Sequence, residues 1–311
     1  MAEETREFVV RASLDNILLS DGREEITFSG FCIKKSPNCL RHITITEEDG
    51  KQVVVPHSPD EDEYEPGFPR CEYYLELELG AVGLFAFDEA QEKLIWAVDR
   101  LRLFKPGLLW AEIHGIFDPK EHPVGSYEFK RHHNEGPYPV NYKVGYDGVF
   151  VIEENEVDSI VSFVNDLKDI PTDSFAVALR RFHLYFDRDM PQDRALDLMV
   201  ILESLFSEGG EAIAYKIALR AAYLTELEAP KRKDVFHFLR TAYNVRSSIV
   251  HGKGESSWLE KESYVSTRTN LASLEEVVRK SLLTLLRNAQ KGIILKPVNL
   301  DGHLFFDQNL P

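Results

Sequence analysis

The sequence predicts an α+β protein of two domains: a mainly-β, sandwich or barrel-like domain over residues 1–168, an all-α helical bundle over 169–295, and a tail over 296–311. Three observations carry that prediction. The first half alternates apolar and polar residues with the period of two that belongs to strands. The second half repeats its apolar residues every three or four positions, as helices do. Charge changes at the same place: residues 1–170 hold 17 Lys+Arg against 34 Asp+Glu, residues 171–295 hold 18 against 16, and the last 16 hold 1 against 2, which accounts for the net −16. At 43% hydrophobic, a chain of 311 residues can bury two cores of ordinary size.

In the first half, TREFVVRAS, EEITFSGFCI, RHITIT, KQVVV, CEYYLELEL, VGLFAF, SYEFKR and YKVGYDGVFVIEE read as short strands, rich in β-branched and aromatic residues and divided by Asp-Gly, Gly and Pro. CEYYLELEL is the clearest, because Tyr74, Glu76 and Glu78 alternate with Leu75, Leu77 and Leu79. The acidic, proline-containing stretch His57 to Pro69 reads as a solvated loop, and it lacks the ordered ligand spacing and turn glycine of a calcium loop. His114, Asp118 and His122 recur at intervals of four, with His132 and His133 close behind. That spacing aligns zinc ligands only on a helix, and Gly115, Pro119 and Pro123 argue against one. Ordinary loop histidines are therefore expected, with no metal and no other cofactor. Cys32, Cys39 and Cys71 are few and odd in number, and read as reduced thiols in a cytoplasmic protein.

DIPTDS at Asp169 to Ser174 marks the junction, preceded by a helix from about Glu156 to Leu167. Five helices follow, over 174–187, 191–207, 210–227, 233–251 and 273–291. Gly209 and Gly210 divide the second from the third, Ser273 with Glu276 forms a capping box, and Gly292 closes the last. Lys253 to Ala272 is then a long loop beginning directly after His251. In the tail, Leu304, Phe305 and Phe306 form a short apolar cluster expected to dock on its own domain.

The fourth of these helices carries the most chemistry. In DVFHFLRTAYNVRSSIVHG, Asp234 to Gly252, the apolar residues Val235, Phe238, Ala242, Val245 and Ile249 step by three and four, which predicts a core helix. Phe236, Leu239, Tyr243 and Val250 flank that stripe. Arg246 lies about 60° from its centre, and His251 about 160°, so Asn244, Ser247 and His251 share the polar side. Gly252 is placed to end the helix in a left-handed turn. A guanidinium is a permanent forked clamp for phosphate, and an imidazole is the side chain that gives and takes protons near neutrality. The spacing occurs once more, at Arg232 and His237, where it begins a helix with no evident role.

What distinguishes RSSIVHG is its surroundings. RRFHLYFDRD at Arg180 to Asp189, DRALDLMVILESLF at Asp193 to Phe206, ALRAAYL at Ala218 to Leu224, Tyr243 with RSSIVHG, and LEEVVRKSLLTLL at Leu274 to Leu286 resemble the HEPN superfamily, in its Apea-like branch, over about residues 175–290. The resemblance implies a helical bundle that dimerises, and a metal-independent ribonuclease whose motif is an Arg, four to six residues, then His. It therefore implies Arg246 and His251 as the catalytic pair, with Ser247 beside them where active members often hold Asn, Asp or His. It also implies RNA as substrate, a homodimer, and a role in phage defence or stress, of the kind that can be paired with an antitoxin.

Elementary chemistry points to the dimer independently. Cleavage needs a base for the 2′-OH proton, an acid for the leaving oxygen and a cation for the phosphorane, and one His251 cannot act as base and acid at once. The roughly 140° between Arg246 and His251 also favours a site completed from outside that helix. Arg246 can instead be structural, its stem against the core and its head paired with a carboxylate such as Glu203. The acidic N-terminus lacks the basic flank and apolar core of a signal peptide, and the most apolar run, Ala195 to Phe206, is too short to span a membrane. The acidic half is a poor partner for phosphates, so RNA is expected on the helical half, with the β domain sensing a ligand or protein and restraining the nuclease. A non-catalytic dimerisation or RNA-binding module is the alternative. An enzyme in the β half is disfavoured, since it holds no Gly-rich phosphate loop or nucleophile elbow.

Overall fold

In the computed structural model, the described residues are 8–37, 41–46, 52–57, 72–79, 86–107, 109–118, 150–168, 170, 173–188, 190–252 and 264–306. They form an α+β chain in two compact units, one reaching to Lys168 and the other running from Ile170.

The first unit is built on strand alternation. β1 (Phe8–Asp15), β2 (Ile17–Leu19), β3 (Glu25–Phe28), β4 (Phe31–Lys35), β5 (Arg41–Thr46), β6 (Gln52–His57) and β7 (Tyr73–Leu79) precede a helix, α1 (Ala86–Phe104). β8 (Trp110–Phe117), β9 (Phe150–Ile152) and a second helix, α2 (Val157–Asp166), follow. Five strands pair in the order β3-β4-β7-β1-β8, all antiparallel. The register sets Ala12 against Leu75 and Leu75 against Ile33, so a row of apolar side chains crosses the sheet on one face. On the other face Arg11 and Lys34 both pair with Glu76, at 3.3 and 2.6 Å. Burial pushes the Cys32 thiol on that face up to about 11, which keeps it protonated. Two smaller sheets are β2 with β9, parallel, and β5 with β6, antiparallel.

Among the described residues the apolar face shares its core with Ala90, Leu94, Ala97 and Leu101 of α1, with Val157, Ile160 and Val164 of α2, and with Ile17, Leu19, Phe150 and Ile152 of the short β2–β9 pair, so the described part of this half is a sheet covered largely by helices and not the sandwich or barrel expected. α1 went unread because VGLFAF looks locally like a strand, while Ala86 and Phe87 begin a helix whose buried positions step by three and four. His114 and Asp118 sit in and just after β8, not on a helix, and His114 falls where the pairing shifts between Arg11 and Ala12. Cys39, Cys71, His122, His132, His133, SYEFKR and residues 58–69 lie outside the described residues.

The second unit holds α3 (Ala176–Asp187), α4 (Pro191–Phe206), α5 (Ile213–Thr225), α6 (Ala229–Val250), α7 (Tyr264–Gln290) and α8 (Pro297–Phe306). α4 is its axis: Leu198, Met199, Ile201, Leu202, Leu205 and Phe206 are all buried, and α3, α5, α6 and α7 pack around it. Polar contacts fix the register of these helices. The Tyr185 hydroxyl on α3 donates to Glu275 of α7 at 3.1 Å, and Asp197 of α4 accepts from Arg181 and Arg188 at 2.8 Å each. α7 begins nine residues ahead of the expected start at 273, and Ser273 and Glu276 lie inside it instead of capping it. Thr267, Thr269 and Asn270 are weak helix formers and read as loop, but Leu271, Leu274, Val278, Leu282 and Leu285 carry one buried stripe through the join. Residues 253–263 of the expected loop lie outside the described residues. The tail forms α8, which packs against α4 and α5 through buried Leu300, while Asp301 accepts two hydrogen bonds from Arg220, at 2.7 and 2.9 Å.

Candidate functional site

α6 opens with Pro at its first turn, which supplies a helical φ and needs no N–H partner there. It ends at His251, the C-cap residue, whose backbone N–H donates to the Ser247 carbonyl at 3.1 Å. Gly252 then adopts φ of 61°, the left-handed conformation that the sequence assigned to it.

α6 is not the core helix that its stripe predicts. Of the stripe only Ala242 and Val245 are buried, joined by Leu239, while Val235, Phe238 and Ile249 are half-buried. Its neighbours are mainly α5, then α4 and α7, so one side is enclosed and the rest faces outward. Periodicity fixes which face turns inward but not how many neighbours cover it.

That placement decides the setting of each candidate residue. Arg246, on the margin of the buried side, meets Glu203 of α4: Nη2 donates to Oε2 at 3.2 Å, and Nε lies 3.0 Å from Oε1. The two side chains are only 25% and 23% exposed, so the pair is shielded but not sealed. The guanidinium carbon also lies 5.8 Å from the centre of the Tyr243 ring, one helical turn back. Nη2 thus makes the hydrogen bond to Glu203 with Nε close beside it, and among the described residues Nη1 makes none. His251 is exposed and Ser247 half-buried. Among the described residues, no hydrogen bond, ion pair or ring contact joins Arg246 to His251.

The alternative partner named for Arg246 in the sequence, Glu203, is thus the group it meets. Tyr243 belongs to the motif's context in the sequence, and its spacing of three from Arg246 is the signal that the ring and guanidinium share a face. The second Arg/His pair divides differently: Arg232 stacks over the Tyr223 ring of α5 at 4.6 Å, and His237 is exposed. Among the described residues no three His, Cys, Asp or Glu side chains converge as metal ligands, and no helix is long and apolar enough to cross a membrane.

As chemistry, the site offers an oriented guanidinium with a spare donor and a proton-transfer group at the end of the same helix, on separate sides of it. No protein-family model matches the chain, and no curated protein or solved structure matches it either.

Proposed function

We propose that the chain is a metal-independent endoribonuclease of the HEPN type, acting through Arg246 and His251 at a site completed by a second copy, in phage defence or stress response. The observation that carries this reading is the setting of the pair: an exposed His251 capping α6, and an Arg246 aimed by Glu203 with one nitrogen unengaged. His251 takes the 2′-OH proton, and its counterpart in the second copy protonates the leaving 5′ oxygen. Arg246 stabilises the charge that builds on the phosphorane, with Ser247 alongside as a polar neighbour. An imidazole can transfer the protons and a guanidinium can stabilise the charge, so the scheme calls for no metal.

A second reading has its own support. The Arg246–Glu203 contact is a largely shielded ion pair, and it suits a structural role in a non-catalytic HEPN dimerisation or RNA-binding module whose β domain senses a ligand. The test is cleavage of mixed RNA in EDTA by wild type and His251→Ala, with product ends analysed. Loss of cleavage in the variant, with 2′,3′-cyclic phosphate ends in the wild type, is the expected result. Absence of cleavage by either protein favours the binding module.

A further inference from the structure

α6 carries five Lys and Arg against one carboxylate, Asp234, in a chain where acids outnumber bases by 52 to 36. Several of the helical unit's other cations are neutralised: Arg181, Arg188, Arg220, Arg246, Arg279 and Lys280 pair with carboxylates. Arg232, Lys233 and Arg240 do not; among the described residues, no carboxylate lies within ion-pair distance of any of them. Lys231 and Lys233 also stand near the N-terminus of α6, whose first turn has no acidic residue. A cation at that end opposes the helix dipole; Lys231 is offset by its ion pair with Glu228 at 3.0 Å, and Lys233 is not.

Two of these cations, Lys233 and Arg240, are aligned with other polar groups. At about 100° per residue, Lys233, His237, Arg240, Asn244, Ser247 and His251 fall within one stripe about 80° wide, running ~27 Å along the helix. Lys233, His237, Arg240, Asn244 and His251 are all exposed. Aromatic rings border the stripe on the α5 side. Tyr215 is 47% exposed and meets the edge of Phe236 at 5.5 Å, Arg232 lies over Tyr223, itself 37% exposed, and the Arg240 guanidinium carbon is 5.8 Å from the centre of Phe236. Guanidinium planes laid on rings present flat cationic surfaces on which bases stack, and unpaired Lys and Arg meet phosphates.

We infer that this face of α6, with Tyr215 and Tyr223 of α5, is a track for single-stranded RNA that leads to His251. The inference deepens the nuclease reading and rests on it only for the chemistry at the end of the track; binding along α6 does not require cleavage. Rings and cations together select single strands, because a duplex hides the base faces from the rings. An acidic polypeptide would meet the cations but leave the rings unused.

The experiment is anisotropy of a short fluorescent oligouridylate with 2′-O-methyl sugars, which cannot be cleaved, on the full-length protein in EDTA. R232Q/K233Q/R240Q is expected to weaken binding by roughly tenfold and to lower the slope of log affinity against log salt by about 2, near 0.7 for each lost phosphate contact. Tyr215→Ala is expected to weaken binding several-fold and leave that slope unchanged. If the triple variant unfolds by circular dichroism, K233Q and R240Q singly carry the same test, each lowering the slope by about 0.7. Unchanged affinity in these variants, equal binding of a duplex or of polyglutamate, or no binding by wild type overturns the track. Binding through α6 without cleavage of ordinary RNA defeats the nuclease reading alone, whereas cleavage that ignores all these variants defeats the track alone.

Discussion

Glu203 limits what Arg246 can do. A guanidinium hydrogen-bonded to Glu203 through Nη2, with Nε 3.0 Å from the same carboxylate, is aimed but partly neutralised, so in the proposed mechanism its contribution depends on Nη1 and on how firmly Glu203 holds the other side. Glu203→Gln is therefore expected to reduce metal-free cleavage with the fold retained by circular dichroism, and to lower the urea midpoint, since a pair only about one quarter exposed leaves Arg246 poorly compensated when the carboxylate is removed. Equal cleavage rates in wild type and Glu203→Gln would remove Glu203 from the mechanism. Arg246→Lys is expected to lose cleavage as well, because a single ammonium cannot face Glu203 and a phosphate with separate forks. At this scale the angles of Arg246 and His251 about their helix could be read directly from the sequence, as could a candidate carboxylate for Arg246. The Arg11–Glu76–Lys34 cluster could not, because it exists only once β1, β4 and β7 are in register.

Elements whose pattern is uninterrupted were the most legible. The stripe of α4, opened by Pro191 and closed before Gly209, needed no tertiary information. α1 and the first turns of α7 were hidden by local composition, aromatic in one case and rich in Thr and Asn in the other, and packing overrode it in both. α8 is the element whose attachment is easiest to test. Leu300 is fully buried, so Leu300→Ala should destabilise the helical unit by about 2–5 kcal/mol in urea denaturation. The hydrogen bonds from Arg220 hold the Asp301 carboxyl below its usual value of 3.8. A depressed carboxylate adds stability that is present above its unfolded pKa and is lost as pH falls through the folded value. The urea midpoint of the wild type should therefore fall more steeply than that of Asp301→Asn as pH drops below about 4; parallel curves would show that the latch adds nothing.

For the molecule as a whole, the division of charge is the dominant sequence signal, and α6 sharpens it: it carries five Lys and Arg against one carboxylate, with unpaired Lys233 and Arg240 on one exposed face, in a chain of net −16. Composition reported the asymmetry between halves, but the three-dimensional structure is needed to show that Lys233 and Arg240 share an exposed face of α6, with Arg232 over the Tyr223 ring beside it. If two copies supply one His251 each, excess His251→Ala added to wild type should suppress cleavage by forming mixed dimers with a single imidazole. Rates indifferent to the added variant would mean that one chain holds a whole site.

The short parallel pair of β2 and β9 has a consequence for how the chain is made. Ile17 to Leu19 leave the ribosome early, yet their partners, Phe150 to Ile152, emerge more than a hundred residues later. Ser29 likewise waits for Asn165, whose side chain accepts from its backbone N–H at 2.8 Å. The first unit thus cannot close until almost the whole of it has been translated, and such long-range closure is slow. Translation then reaches α6 only after about sixty further residues, so the acidic unit has the opportunity to fold before the cationic helix leaves the ribosome, itself a particle made largely of RNA.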